Sequence, residues 1–245
     1  MTDGKAFSDA RFLRAWMPPR DPLDAVSLTL EALEGLGLEP KPVGSGMIGE
    51  LRGGLRCIDI VHDRLDSVVV MSGVDAGRLL TSGPGSLYKV DYAIRGSIRG
   101  VLSGRIVVRT APEFKGLLRR KLVGLRWEVP EGGGGSHVRP GFRSAPPGPG
   151  EIWEGGPHQE LRDGLNGDSE LMASMLSFTS ERKRRPLIVS VVSDQWDESM
   201  RICGDVWLEP RELRDSYLSP VFLEIVSRIG GHVKDTRRKF GGLTF

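Results

Sequence analysis

Apolar residues along this chain recur at two spacings, and the clearest stretch lies near the C-terminal end. Leu187, Ile188, Val189, Val191 and Val192 form one β-branched run, and Met200, Ile202, Val206 and Trp207 form a second. The acidic segment Asp194-Gln195-Trp196-Asp197-Glu198 separates them. Runs of that length, bounded by turn residues, predict two strands closed into a hairpin. Earlier in the chain, Met47–Leu51, Leu55–Val61 and Ser67–Ser72 read as a meander, with Gly53-Gly54 and His62–Leu65 as its turns. Tyr88, Val90, Tyr92 and Ile94 alternate with Lys89, Asp91, Ala93 and Arg95, the pattern of a half-buried antiparallel strand. Ile98–Leu102, Ser103-Gly104 and Arg105–Arg109 predict a further hairpin.

Helical spacing appears in four places. Asp21-Pro22 suits an N-cap and first turn, Ala25, Leu28, Ala32 and Leu33 follow on one face, and Gly35 with Gly37 stops the run. Pro157–Leu165 and Asp168–Phe178 predict two short helices separated by Asn166-Gly167, with Asp168 as N-cap and Leu171, Met172, Met175 and Leu176 as the stripe. Ser219-Pro220 opens a last helix with Val221, Phe222, Ile225, Val226 and Ile229 inward. Gly230-Gly231 is expected to end it and leave a loosely held basic tail. Residues 1–20 fit a short helix closed by Pro18-Pro19.

These elements define an α+β fold, mainly antiparallel sheet with flanking helices. A faint likeness between residues 66–80 and 197–213 fits a duplicated helix–strand–strand unit. Residues 130–156 hold nine Gly and five Pro in 27 positions, too few packing side chains for a buried element. They divide the chain into an expected β-rich domain, 1–129, a linker or loop, 130–156, and a helix–hairpin–helix part, 157–245.

Composition narrows the class. With 245 residues, 39% hydrophobic and 27% charged, the chain is globular in composition, and no apolar run has membrane-spanning length. Without a basic segment leading into an apolar one at the start, a cytoplasmic location is expected. Asn166 is the only asparagine, Gln159 and Gln195 are the only glutamines, and Arg outnumbers Lys by 26 to 8. Scarcity of thermolabile amides fits a protein from a hot environment. In that setting a disulfide between Cys57 and Cys203 competes with the plainer reading of two buried thiols.

A net charge of +2 is too small for a wholly basic surface, so any anionic partner must be met by local clusters. The first is Lys115–Trp127, with Lys115, Arg119, Arg120, Lys121 and Arg126 and no acidic residue. Wound as a helix it sets Leu118, Leu122 and Leu125 on one face and Lys115, Arg119 and Arg126 on another. That arrangement suits phosphates of nucleic acid or of a membrane surface, and it also suits an element packed on the core with a solvated basic face. Arg182, Lys183, Arg184 and Arg185 form a second cluster, and Arg237-Arg238-Lys239 a third. Asp59, His62 and Asp63 are weak candidates for a metal site, because His and carboxylate suit zinc or manganese but polar residues are ordinary in a turn. No cofactor is expected: Gly44-Ser-Gly-Met-Ile-Gly49 matches Gly-x-Gly-x-x-Gly, yet Gly53-Gly54 follows where a phosphate-binding helix must start. The leading expectation is a non-enzymatic binding or adaptor module for nucleic acid or an anionic membrane. A metal-assisted hydrolase or transferase using Asp59, His62 and Asp63, and a scaffold subunit for a protein partner, are the alternatives.

Overall fold

The strand alternation and the helical stripes assemble into an α+β architecture with antiparallel strand pairing. The structure is a computed structural model and describes residues 23–42, 55–73, 87–102, 104–116, 121–130, 156–181, 188–194, 199–204, 208, 212–213 and 215–240. Its elements are α1 (Leu23–Gly35), β1 (Lys41–Pro42), β2 (Leu55–Asp59), β3 (Ser67–Gly73), β4 (Leu87–Arg95), β5 (Ile106–Lys115) and β6 (Lys121–Glu128). Then come α2 (Pro157–Gly167), α3 (Ser169–Glu181), β7 (Val189–Asp194), β8 (Ser199–Gly204) and α4 (Pro220–Phe240). The strand expected at Met47–Leu51, the helix expected within 1–20 and residues 131–155 of the Gly/Pro stretch lie outside the described residues.

Two compact units share the chain. One takes Met1–Val61, Val68–Val90 and Val206–Ser219, and the other takes His62–Ser67, Asp91–Asp205 and Pro220–Phe245. Each is drawn from separated stretches, and β4 belongs to both.

In the first unit the strand order is β1–β2–β3–β4. Helix α1 ends as its glycines predict. The Leu38 N–H donates to the Leu33 carbonyl and the Gly37 N–H to the Glu34 carbonyl, with Gly37 at φ +75°. This is the paired hydrogen-bond closure in which a left-handed residue satisfies the last carbonyls, and glycine adopts it without steric cost.

In the second unit the order is β4–β8–β7–β5–β6. The predicted 187–208 hairpin is present as β7–β8, with Val191 opposite Ile202 and Ser193 opposite Met200. One face of these strands packs against α2, α3 and α4. Phe222 is its centre, with ring centroids 6.0 Å from Tyr92 and 5.6 Å from Phe178, a spacing at which tilted aromatic pairs attract. Leu161, Leu165, Leu171 and Met175 close around them, all fully buried. Truncating one of these leucines to Ala costs ~2–5 kcal/mol, lost transfer energy plus the cavity left behind.

Four local expectations change in the structure. Strand β4 is buried on both faces, with Asp91 2% and Ala93 1% exposed. The alternation shows which side chains share a face, not which face meets water. The 98–109 hairpin does not form. Ile98–Val101 closes a turn, with the Val101 N–H on the Ile98 carbonyl and Gly100 at φ +83°, and β5 pairs instead with β6 and with the distant β7. The disulfide alternative gives way to the plainer reading at Cys203, a buried thiol on β8.

The fourth change concerns α4, which continues through Gly230-Gly231 to Phe240. A Cβ at Gly230 would lie 2.6 Å from the Arg64 carbonyl oxygen, so this glycine serves a close approach between helix and loop, not a helix end. As far as Phe240 the supposed tail is helical and held by side-chain contacts. Lys234 Nζ donates to the Asp63 carbonyl at 2.9 Å, Arg237 donates to the Arg95 carbonyl, Arg238 pairs with Asp235 and Lys239 with Glu160. The cluster Arg237-Arg238-Lys239 also sits in the last turn of α4, where cations meet the negative end of the helix dipole.

Gly230→Ala is therefore expected to lower the melting temperature despite the ~1 kcal/mol that alanine gains in helix propensity. Gly231→Ala, whose Cβ would meet nothing nearer than Arg64 Cδ at 3.5 Å, is expected to leave it unchanged or raise it. Thermal unfolding of the two variants side by side checks this, and equal effects would refute the close-approach explanation.

Candidate functional site

Strand β5 decides where the basic residues go. It lies against β7 through Ile106–Arg109, and the Thr110 hydroxyl then accepts the Val189 N–H at 2.9 Å. From Ala111 to Lys115 its strand neighbour among the described residues is β6 alone, in register from Ala111 opposite Arg126 to Lys115 opposite Lys121. A bulge between Glu113 and Phe114 raises the local twist. This outer half of β5–β6 is the ribbon, and Glu113, Phe114, Lys115, Val123 and Arg126 on it are exposed.

This corrects the helical reading of 115–127. The stretch holds the end of one strand, a connection and a whole second strand. Its period is two: Leu125 and Trp127 turn into the core while Arg126 points out. Lys115 and Lys121, six residues apart in sequence, stand directly opposite each other. Like charges in that position repel and destabilise a ribbon left to itself. Arg119 and Arg120, and the cluster Arg182, Lys183, Arg184 and Arg185, lie outside the described residues.

At the root of the ribbon the outward face is a ladder of opposite charges. Arg109 Nε meets Glu128 Oε1 at 2.9 Å, and Arg126 Nε lies 3.9 Å from Glu113 Oε1. The same face carries a polar row set by register, Asp91, Cys203, Ser190, Arg109 and Glu128 on five successive strands. Three of these, Asp91, Cys203 and Ser190, are buried.

Strand β6 ends the strand order, so its outer backbone groups need other partners. Asn166, at the end of α2, supplies them. Its Oδ1 accepts the Trp127 N–H at 2.8 Å and its Nδ2 donates to the Trp127 carbonyl at 3.0 Å, as a neighbouring peptide would. The chain's only asparagine thus substitutes for a missing strand. It is held by the α2–α3 corner, where Asp168 caps α3 by accepting the Leu171 N–H at 2.9 Å. Asp168 also meets Arg228 Nη1 at 3.2 Å and His232 Nε2 at 3.1 Å, both from α4.

Fixed in this way, α2 faces the ribbon root across a cleft of about 570 Å³. Arg109 of β5, Arg126 of β6 and Arg162 of α2 reach it from three elements, joined by Glu128, Gln159 and the edge of Trp127. Arg126 was among the expected binding residues, whereas Arg109, Arg162 and Gln159 were not. They are isolated in sequence, and only the β5–β6 register and the Asn166 contact bring them together.

Of the weak metal candidates, Asp59 is partly buried on β2. His62 Nδ1 lies 3.1 Å from the Arg64 N–H and 3.1 Å from Asp63 Oδ1, and Asp63 also faces Arg64. Among the described residues no three His, Cys, Asp or Glu side chains are grouped so as to hold a metal ion. No helix among the described residues is long and apolar enough to cross a membrane. No protein-family model, curated protein or solved structure matches the chain.

Two outcomes follow from this corner. Asn166→Ala strands two polar backbone groups at the edge of β6 and is expected to cost ~1–3 kcal/mol in denaturant unfolding, with greater self-association. Unchanged stability would show that water serves Trp127 equally well. Burial pushes the Asp168 carboxyl up, but the Leu171 N–H, His232 and Arg228 outweigh it, so the group titrates below its ordinary value. A depressed carboxyl stabilises the fold above its unfolded pKa and loses that contribution as pH falls through the folded one. Asp168→Asn, which keeps a capping side chain, is therefore expected to be less stable than the parent at pH 7, with the gap closing below about pH 4. A gap that persists at low pH would contradict the charge argument.

Proposed function

We propose that this chain binds nucleic acid, with the β5–β6 ribbon gripping the phosphate backbone. One observation carries the reading. Strands β5 and β6 place Lys115 opposite Lys121 in register, while Arg126 points outward at the root. The connection between them adds Arg119 and Arg120 from the sequence. Two lysines at facing register positions offer a row of phosphates more than one cation, and basic contacts of this kind supply most sequence-independent affinity. A two-stranded ribbon also has the width that the major groove of a duplex admits.

The charged ladder at the root favours nucleic acid over a membrane surface. A ribbon lying in a headgroup layer needs one continuous apolar face, and here Leu125 and Trp127 are buried inward. The exposed apolar groups described on the ribbon are Phe114 and Val123, which suit stacking or groove contact as well as insertion. Pairs such as Arg126–Glu113, at 3.9 Å with both side chains at least half exposed, are each worth ~0–1 kcal/mol and yield readily to a phosphate.

Engaging about five phosphates is expected to give a log–log salt slope of roughly −4 to −5 on duplex DNA. Lys115→Glu with Lys121→Glu is expected to weaken binding at least tenfold and flatten that slope by about two, with circular dichroism unchanged. Fluorescence anisotropy on labelled duplex and single strands, in parallel with sedimentation of anionic vesicles, decides the matter. Vesicle binding without nucleic-acid binding, or parental affinity in the double variant, would overturn the proposal.

A further inference from the structure

We infer that the cleft at the ribbon root is a separate binding site for a small phosphomonoester with an organic body of about nucleotide size. The inference does not require that the ribbon bind nucleic acid.

The cleft brings together three guanidinium groups from three elements: Arg109 on β5, Arg126 on β6 and Arg162 on α2. Guanidinium forks recognise oxyanions by paired, directed hydrogen bonds. A carboxylate has two oxygens in one plane and is matched by one fork. Three forks approaching from different elements match the terminal oxygens of a phosphate. Each arginine rests on one carboxylate: Arg109 on Glu128 at 2.9 Å, Arg126 on Glu113 at 3.9 Å and Arg162 on Asp163 at 2.8 Å. Of these acids, Glu128 alone lines the cleft. Glu113 and Asp163 are not in the lining, which carries three arginines and one glutamate.

The volume says that the phosphate does not come alone. At about 570 Å³ the cleft falls within the range of small-molecule and cofactor sites. The Gln159 amide can donate to or accept from a polar edge of the ligand, and Val129 supplies an apolar contact. Glu128 plays a second part. It holds Arg109 in the empty cleft and competes with the ligand for it.

The geometry is also braced. Arg162 and Gln159 lie on α2, whose far end is pinned to β6 by Asn166. The position of α2 against the ribbon root is therefore set by the fold, which lowers the ordering left to the ligand.

Isothermal titration of the full chain with adenosine monophosphate, glucose 6-phosphate, adenosine and inorganic phosphate tests this. Saturable binding of the two phosphomonoesters, tighter than of inorganic phosphate and absent for adenosine, is the expected result. The better of the two monoesters identifies the organic body. Arg162→Ala is expected to weaken phosphomonoester binding about tenfold to a hundredfold, the range for a lost hydrogen bond to a charged group. Glu128→Gln is expected to strengthen it severalfold by releasing Arg109, a gain that general loss of structure cannot produce. Lys115→Glu with Lys121→Glu is expected to leave it within twofold. Absence of binding by both monoesters at millimolar concentration, equal affinity for inorganic phosphate, or an unchanged affinity in both Arg162→Ala and Glu128→Gln would overturn the assignment.

Discussion

Among the described residues strand β5 has a neighbour on each side for only part of its length, and the second unit is arranged around that fact. While β7 lies beside it, β5 is an interior strand whose Val107 and Val108 are buried. Beyond Val189 the strand neighbour of β5 among the described residues is β6. Past that point Glu113, Lys115 and Arg126 are exposed, together with Phe114 and Val123.

The same strand pair creates an edge, and the edge explains the helices around it. A bare β6 would offer the Trp127 N–H and carbonyl to any passing strand. The Asn166 amide meets both, which sets the height of α2 against the sheet. Asp168 then turns the chain into α3 and ties the corner to Arg228 and His232 on α4. Helix α4 in turn approaches the 62–67 loop closely enough to require glycine at 230. One unpaired strand edge thus leads, contact by contact, to the positions of three helices and to the cleft where Arg162 faces Arg109 and Arg126.

The ribbon and the cleft differ in the physics they use. Around the ribbon the side chains are exposed and individually weak, so affinity there grows with the number of phosphates met and falls with salt. In the cleft three guanidinium groups converge on one volume, and selectivity comes from direction more than from total charge. Arg126 belongs to both, lying on the ribbon and lining the cleft.

Local chemistry in the chain was enough to determine the β7–β8 hairpin, the glycine closure of α1, the Asp168 cap and the α+β class, because each depends on neighbours within a few residues. Long-range pairing was not legible in the same way. Arg105–Arg109 looked like the return of a hairpin from Ile98, but its partners are β6 and the distant β7, and local alternation does not name a strand's neighbour. Gly230-Gly231 looked like a stop because glycine weakens helices, whereas packing against the Arg64 carbonyl outweighs that propensity. The basic residues of 115–126 stood out from composition alone. That two of them face each other across a ribbon, and that a third joins Arg109 and Arg162 at a cleft, was decided by tertiary structure, since strand register and an asparagine contact spanning 39 residues set which side chains meet.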